Sequence, residues 1–140
     1  MTRRFTRHTH AVFIDEEEAY MAIWLMQATV EDLNAHSSDT LVSHLGIEFV
    51  EIGDDYLRAR MPVDARTVQP ARILHGGASV ALAESVGSIA AHLCVDQERK
   101  YCVGLDINAN HIRAVRSGYV YGTARPLHIG SSTQVWEIRI

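Results

Sequence analysis

Cysteine is scarce in this chain. Cys94 and Cys102 stand alone in 140 residues, with no CxxC pair and none of the dense spacing of a disulfide-stapled secreted domain. No segment reads as a signal peptide, so both thiols are expected as buried small hydrophobes in a reducing cytoplasm. Basic clusters are equally sparse: apart from Arg3, Arg4 and Arg7 there is none, and the formal net charge is -4. The footprint of a nucleic-acid binder is missing, which excludes nucleic acid as an expected partner. Eight histidines occur without an HExxH or a cysteine cluster, and His8 and His10 suit only adventitious binding. No metal and no cofactor are expected. Internal repeats and low-complexity tracts are absent as well. What remains is a chain with 47% apolar residues and average charge, enough for one core.

The most informative segment is residues 73–95, ILHGGASVALAESVGSIAAHLCV, a small-residue, helix-like run with one acidic residue, Glu84. Its length approaches that of a membrane span, but three Gly, three Ser, two His and a central carboxylate oppose insertion. It reads as a helix of about 76–94 buried inside protein. Removing an unpaired carboxylate from water costs several kcal/mol, so Glu84 is expected either to have a partner or to face a ligand cleft. His75-Gly76-Gly77 opens the helix, Gln69-Pro70 precedes it, and Ser88 follows Glu84 on the same face at i+4. Pro70 holds Gln69 extended, away from any helix.

Around this helix the pattern is mostly strand-like. Thr29 followed by Glu31 and Asp32 predicts a short capped helix. Residues 47–52 and 56–63 predict a hairpin, with Leu57, Ala59, Met61 and Val63 facing inward. After a turn at 96–100, strands are predicted over 102–109, 118–125 and 133–140, the last with Gln134, Trp136, Ile138 and Ile140 on one face. Hairpin, long apolar helix, then consecutive strands is an α+β order with an antiparallel sheet. With too few other helices to cover it, the long helix must be wrapped by that sheet. Residues 1–20 form a tail ahead of a 21–140 domain. Glu16, Glu17 and Glu18 would be encoded by a purine-rich run just before Met21, so translation is expected to start at Met21.

Unpaired N–H groups at the first turn of a helix can polarise a carbonyl oxygen, and Gly76 and Gly77 leave room for one. Acyl transfer develops negative charge on that oxygen, where fixed donors count most. A carboxylate then supplies a nucleophile or general base. Gly76 and Glu84 lie eight residues apart, roughly 12 Å along one helix, too far to serve one acyl group from one chain. Two antiparallel helices about a two-fold axis would bring Glu84 of one copy beside Gly76 of the other. The chemistry therefore predicts a homodimer with composite sites.

The runs MPVDARTVQPARILHGGASVALAESVGS, VGLDINANHIRAVRSG and PLHIGSSTQVWEI resemble those of the hotdog-fold acyl-CoA thioesterases, most nearly the bacterial menaquinone-pathway 1,4-dihydroxy-2-naphthoyl-CoA thioesterases. The resemblance runs from about residue 23 to 140. It implies a long helix wrapped by a curved antiparallel sheet, paired into dimers or dimers of dimers, and hydrolysis of an aryl- or acyl-CoA thioester. Its catalytic residues would be Glu84, Gly76, His75, Gln69 and Ser88: Gly76 N–H polarising the thioester, Glu84 of the other copy attacking or activating water, Gln69 and His75 orienting, Ser88 meeting the aryl end. Val103, Gly104, Leu105 and His111, with His128, Gly130, Ser131 and Ser132, would line the substrate and CoA path, and Ile89 beside Ser88 would touch the acyl group. Asn108-Ala109-Asn110-His111 also leans toward the menaquinone enzymes, although Ser132 stands where an Arg is common. Members of the family add a strand after the Trp136 strand, which has no counterpart before Ile140, so an unpaired sheet edge is expected. Related proteins proofread misloaded acyl or aryl carrier protein, and others only bind acyl-CoA; both are alternatives. His75-Gly76-Gly77 also resembles the HGGG loop of lipases, but no GxSxG elbow exists and the chain is too short for that fold. Asp106 is expected in a salt bridge or a subunit contact.

Overall fold

The computed structural model describes residues 22–140. The 1–20 tail, the Met21 start and His8 and His10 lie outside the described residues. Helix α1, Val30–His36, begins where expected: Thr29 accepts from Asp32 N–H while Asp32 bonds back to the Thr29 backbone. This reciprocal cap satisfies two donors the helix itself cannot. Asn34 then brackets Phe49, donating to its carbonyl at 2.9 Å and accepting from its N–H at 2.8 Å, so one side chain occupies a sheet edge as a strand would. Helix α2, Leu41–His44, is a single turn capped by Thr40 and Ser43. It was not expected, because four residues carry no period.

Strands β1, Glu48–Ile52, and β2, Leu57–Pro62, form the expected antiparallel hairpin. Leu57, Ala59, Met61 and Val63 are all buried. Helix α3 spans Gly76–Leu93, and β3, Tyr119–Ile129, and β4, Gln134–Arg139, complete a sheet in the order β1-β2-β3-β4, antiparallel throughout. Strand β3 continues four residues past its expected end, through Pro126. That proline sits beyond the last β2 pairing, Leu57 with Ala124, and at a register shift, so its missing N–H leaves no gap in the β2 ladder.

The concave face of the sheet packs on α3 through Ala78, Leu82, Val86 and Ala90, the last three fully shielded. Each large one contributes roughly 1.5–3 kcal/mol of burial. Gly122 permits this contact: a Cβ there would lie 3.1 Å from Leu82 Cγ. Trp24 stacks on Trp136 at 6.3 Å and donates to the Gly53 carbonyl, closing the turn end of the sheet.

One expectation fails. The strand predicted over 102–109 is absent: these residues run as a strap without regular structure along α3, tied at Cys102 Sγ to the Ala91 carbonyl and at Val115 O to Leu74 N–H. Alternation alone marks a chain that could pair, but a strand exists only where a ladder partner takes its N–H and C=O groups. Here the strap lies over the helix rather than on the sheet, and its apolar side chains are exposed, Leu105 to 89% and Ile112 to 96%. The sheet covers one face, while Val80, Glu84, Gly87, Ser88 and Ala91 floor a cleft of about 1770 Å³ between strap and β4. Strand β4 pairs only with β3 and forms one edge of the sheet.

Candidate active site

Helix α3 starts at a histidine cap. His75 Nδ1 accepts the Gly77 N–H at 2.8 Å, which leaves Nε2 as the ring's free position. Ala78 and Ser79 N–H bond to the His75 carbonyl, so of the first-turn donors Gly76 N–H is the one with no acceptor among the described residues. This is the group that the dipole and the glycine step make available to an external oxygen. Above it sits His111 of the strap: a Cβ on Gly76 would meet His111 Nε2 at 2.8 Å.

Two turns along, Glu84 faces the cleft. Ser88 Oγ donates to Glu84 Oε1 at 2.9 Å, as the i to i+4 spacing allowed. Gly104 of the strap approaches so closely that a Cβ there would stand 2.2 Å from the same oxygen. The strap thus runs antiparallel to α3, meeting Ala91, Glu84 and Gly76 in turn. In the single chain Glu84 is exposed on the cleft side of α3, with Ser88 as its hydrogen-bond partner. The helix buries the face bearing Leu82 and Val86 instead, and Glu84 lies on the opposite side, with only the strap over it.

Of the residues singled out from the sequence, the cleft collects Gln69, Gly76, Glu84, Ser88, Val103, Gly104, Leu105, His111, Gly130, Ser131 and Ser132. Gln69 is held by its backbone, its N–H on the Ile73 carbonyl and its own carbonyl accepting from Arg72, which leaves the amide free to turn inward. Lys100 Nζ donates to the Ser131 carbonyl and fixes the β3–β4 turn beside the C-terminal end of α3. Three residues fall elsewhere. Ile89 packs against the core, since it lies on the sheet side of the helix one position past Ser88. His75 is spent on capping and stays at the rim, and His128 packs against Gly130 on the outer side of the turn. Asp106 lines the cleft without a salt bridge among the described residues. The sequence reading missed Gly87, whose lack of a side chain admits Ile138 of β4; a Cβ there would be 3.3 Å from Ile138 Cδ1.

Cys94 is buried and Cys102 half-buried, both as free thiols. Burial, with a smaller contribution from Cys102, pushes the Cys94 thiol up to about 11. No group of three metal-ligating side chains occurs among the described residues. Nor is any described helix long and apolar enough to cross a membrane.

A helix N-terminus with an available N–H can polarise a carbonyl oxygen, and a carboxylate facing the same cleft can act as nucleophile or base. The sequence profile of the Thioesterase superfamily matches residues 71–140, the half of the chain that holds α3, the strap, β3 and β4. The chain belongs to the thioesterase superfamily. As a thioesterase it is an enzyme that hydrolyses thioesters, and its fold is the hotdog. The 1,4-dihydroxy-2-naphthoyl-CoA hydrolase of Escherichia coli is 56% identical over 118 residues, covering 84% of this chain and 86% of that one. A proofreading thioesterase of Cronobacter turicensis is 53% identical over 118 residues, covering 84% and 85%. Among solved structures, a thioesterase of Haemophilus influenzae superposes with a TM-score of 0.80 at 54% identity, covering 83% of this thioesterase and 80% of its own chain.

Proposed function

We propose that this thioesterase hydrolyses 1,4-dihydroxy-2-naphthoyl-CoA to the free acid and CoA, in menaquinone biosynthesis in the cytoplasm. The observation that carries the mechanism is the pairing of an unspent Gly76 N–H with Glu84 on one helix, both facing the cleft. Their separation along α3 is resolved by a second copy packed antiparallel, which sets Glu84 of one chain against Gly76 of the other. That copy would also cover the exposed apolar strap and withdraw Glu84 from water, raising its reactivity. Gly76 N–H then takes up the charge that develops on the thioester oxygen. Glu84 either attacks the carbonyl carbon, expelling the thiolate of CoA and leaving a mixed anhydride that water then cleaves to the free acid, or takes a proton from a water that attacks directly, with the thiolate leaving. Ser88, bonded to Glu84, fixes the carboxylate rotamer. Gln69 and His111 bracket the thioester, with His75 Nε2 at the rim. Val103, Gly104, Leu105 and the 130–132 turn line the pantetheine arm.

The similarity to the Escherichia coli hydrolase supports this substrate, and that to the Cronobacter proofreading enzyme supports a carrier-protein thioester as the alternative. A panel of naphthoyl-CoA, benzoyl-CoA and the same acyl groups on a phosphopantetheinylated carrier protein, read by thiol release, tests the reading. Highest kcat/KM on the naphthoyl-CoA ester is expected. Faster turnover of the carrier-bound esters would transfer the assignment to proofreading.

A further inference from the structure

Three side chains tie the start of the strap to the rest of the fold. Lys100 Nζ donates to the Ser131 carbonyl at 2.8 Å, Tyr101 meets the His92 ring edge-on at 4.9 Å, and Cys102 Sγ donates to the Ala91 carbonyl at 3.5 Å. From 101 to 114 the strap makes no backbone–backbone hydrogen bond among the described residues, so its position along α3 depends on such ties. The tie at Ala91 is crowded. That carbonyl also accepts from Cys94 N–H at 3.2 Å and from Gln134 Nε2 at 3.3 Å. One oxygen offers two lone pairs and a thiol is a weak donor, so Cys102 is the most easily released of the three. The two cysteines therefore flank a single atom, with Cys102 Sγ within about 7 Å of the Cys94 backbone nitrogen. Both are free thiols, Cys94 buried at the end of α3 and Cys102 half-buried.

A disulfide needs its two Cα atoms about 4.4–6.8 Å apart. Cys94 is fixed by the helix it caps, whereas Cys102 sits on a segment without a ladder, so closing the bond moves the strap and not α3. From this juxtaposition we infer that Cys94 and Cys102 form a thiol–disulfide switch, set by a hydroperoxide, that repositions the strap over Glu84. The accessible Cys102 sulfur takes the terminal oxygen of the hydroperoxide, the O–O bond breaks, and water or an alcohol leaves behind a sulfenic acid. Burial keeps the Cys94 thiol protonated near neutral pH and out of this first step. Cys94 sulfur then attacks Cys102 sulfur: the S–S bond forms, and the sulfenic hydroxyl leaves with the Cys94 proton as water. A dithiol returns the electron pair and restores both thiols. Disulfides of this transient, sensing kind are the ones found in a reducing compartment. The consequence for the cleft comes through Gly104, two residues from Cys102, where an added Cβ would stand 2.2 Å from Glu84 Oε1. Drawing Cys102 toward Cys94 slides Gly104 along that carboxylate. The effect on rate rests on the role proposed above for Glu84; formation of the bond does not.

Bond and rate are read separately. Reduced wild type, Cys94→Ala and Cys102→Ala are treated with excess hydrogen peroxide near neutral pH and desalted, remaining thiols are blocked under denaturing conditions, and tryptic peptides are mapped without reductant. Arg99 and Lys100 lie between the two cysteines, so after cleavage there only an S–S bond joins the two peptides. The joined pair is expected from wild type, and in Cys94→Ala the stranded Cys102 sulfenic acid should be captured by dimedone. Absence of the joined pair, or a Cys102 bonded to the Cys102 of a second copy, overturns the switch. Turnover of benzoyl-CoA is then followed by loss of thioester absorbance. Oxidised wild type should lose at least about tenfold in kcat, on the scale expected for displaced reacting groups, and recover with dithiothreitol. Oxidised Cys102→Ala should keep its reduced rate. A disulfide that leaves kcat unchanged overturns the switch, and so does an equal loss in Cys102→Ala. If no thioester is turned over, amide exchange across 103–112 decides: a difference between reduced and oxidised wild type is expected, and identical exchange overturns the inference.

Discussion

Gly104 of the strap leaves no room for a β-carbon against Glu84: one placed there would lie 2.2 Å from Oε1 and 2.8 Å from Cδ. The obstructing atoms are the end of a flexible side chain, so Gly104→Ala should fold and move the carboxylate. The expected outcome is a kcat loss of about tenfold or more with a melting temperature within about two degrees of wild type. A parallel fall in both would mean that Gly104 serves the fold and not the orientation of Glu84.

Gly76→Ala tests the other pole of the site. The added methyl would meet His111 Nε2 at 2.8 Å and crowd the space in front of the free N–H. Alanine is a better helix former than glycine by about 1 kcal/mol in a helix interior, so stability should hold. Thioester hydrolysis should fall by about 10²-fold, the scale of losing one oxyanion donor. Retained activity would remove Gly76 from the mechanism.

Much of the fold was legible because its signals are local. The α1 cap, the hairpin of β1 and β2 and the span of α3 follow from capping chemistry and apolar period, and the structure reproduces them within a residue or two. The strap was misread because alternation over Val103, Leu105 and Ile107 states what the chain could pair with, not whether a partner strand is beside it. Glu84, Gly76, Gln69 and Ser88 could be chosen from type and spacing, and the cleft gathers them. Ile89 could not be separated from Ser88, because adjacent helical residues differ by about 100° and only packing decides which faces the sheet.

Leu82→Ala addresses the packing between sheet and helix. Leu82 is fully buried between α3 and Gly122, and large-to-small changes at such sites cost about 2–5 kcal/mol. Chemical denaturation should show a loss in that range with an unchanged m-value. A loss below about 1 kcal/mol would mean that the sheet does not clasp the helix here.

Cys94 gives a pH dependence whose sign is fixed. Its folded thiol titrates at about 11, above the ordinary 9.0, so the folded state holds the proton longer than the unfolded one. The resulting stability is fully present below pH 9 and declines as pH rises toward 11. Cys94→Ala should flatten this slope in urea titrations across that window. At pH 8, alkylation by iodoacetamide should modify the half-buried Cys102 before Cys94. Modification of Cys94 first would contradict its burial.

Hydrolysis depends above all on Glu84. Release of CoA from 1,4-dihydroxy-2-naphthoyl-CoA should be followed for wild type and Glu84→Gln at equal protein concentration, with substrate binding measured on the same samples. A fall in kcat of at least about a hundredfold with little change in binding is predicted. Hydrolysis by Glu84→Gln at the wild-type rate would contradict it.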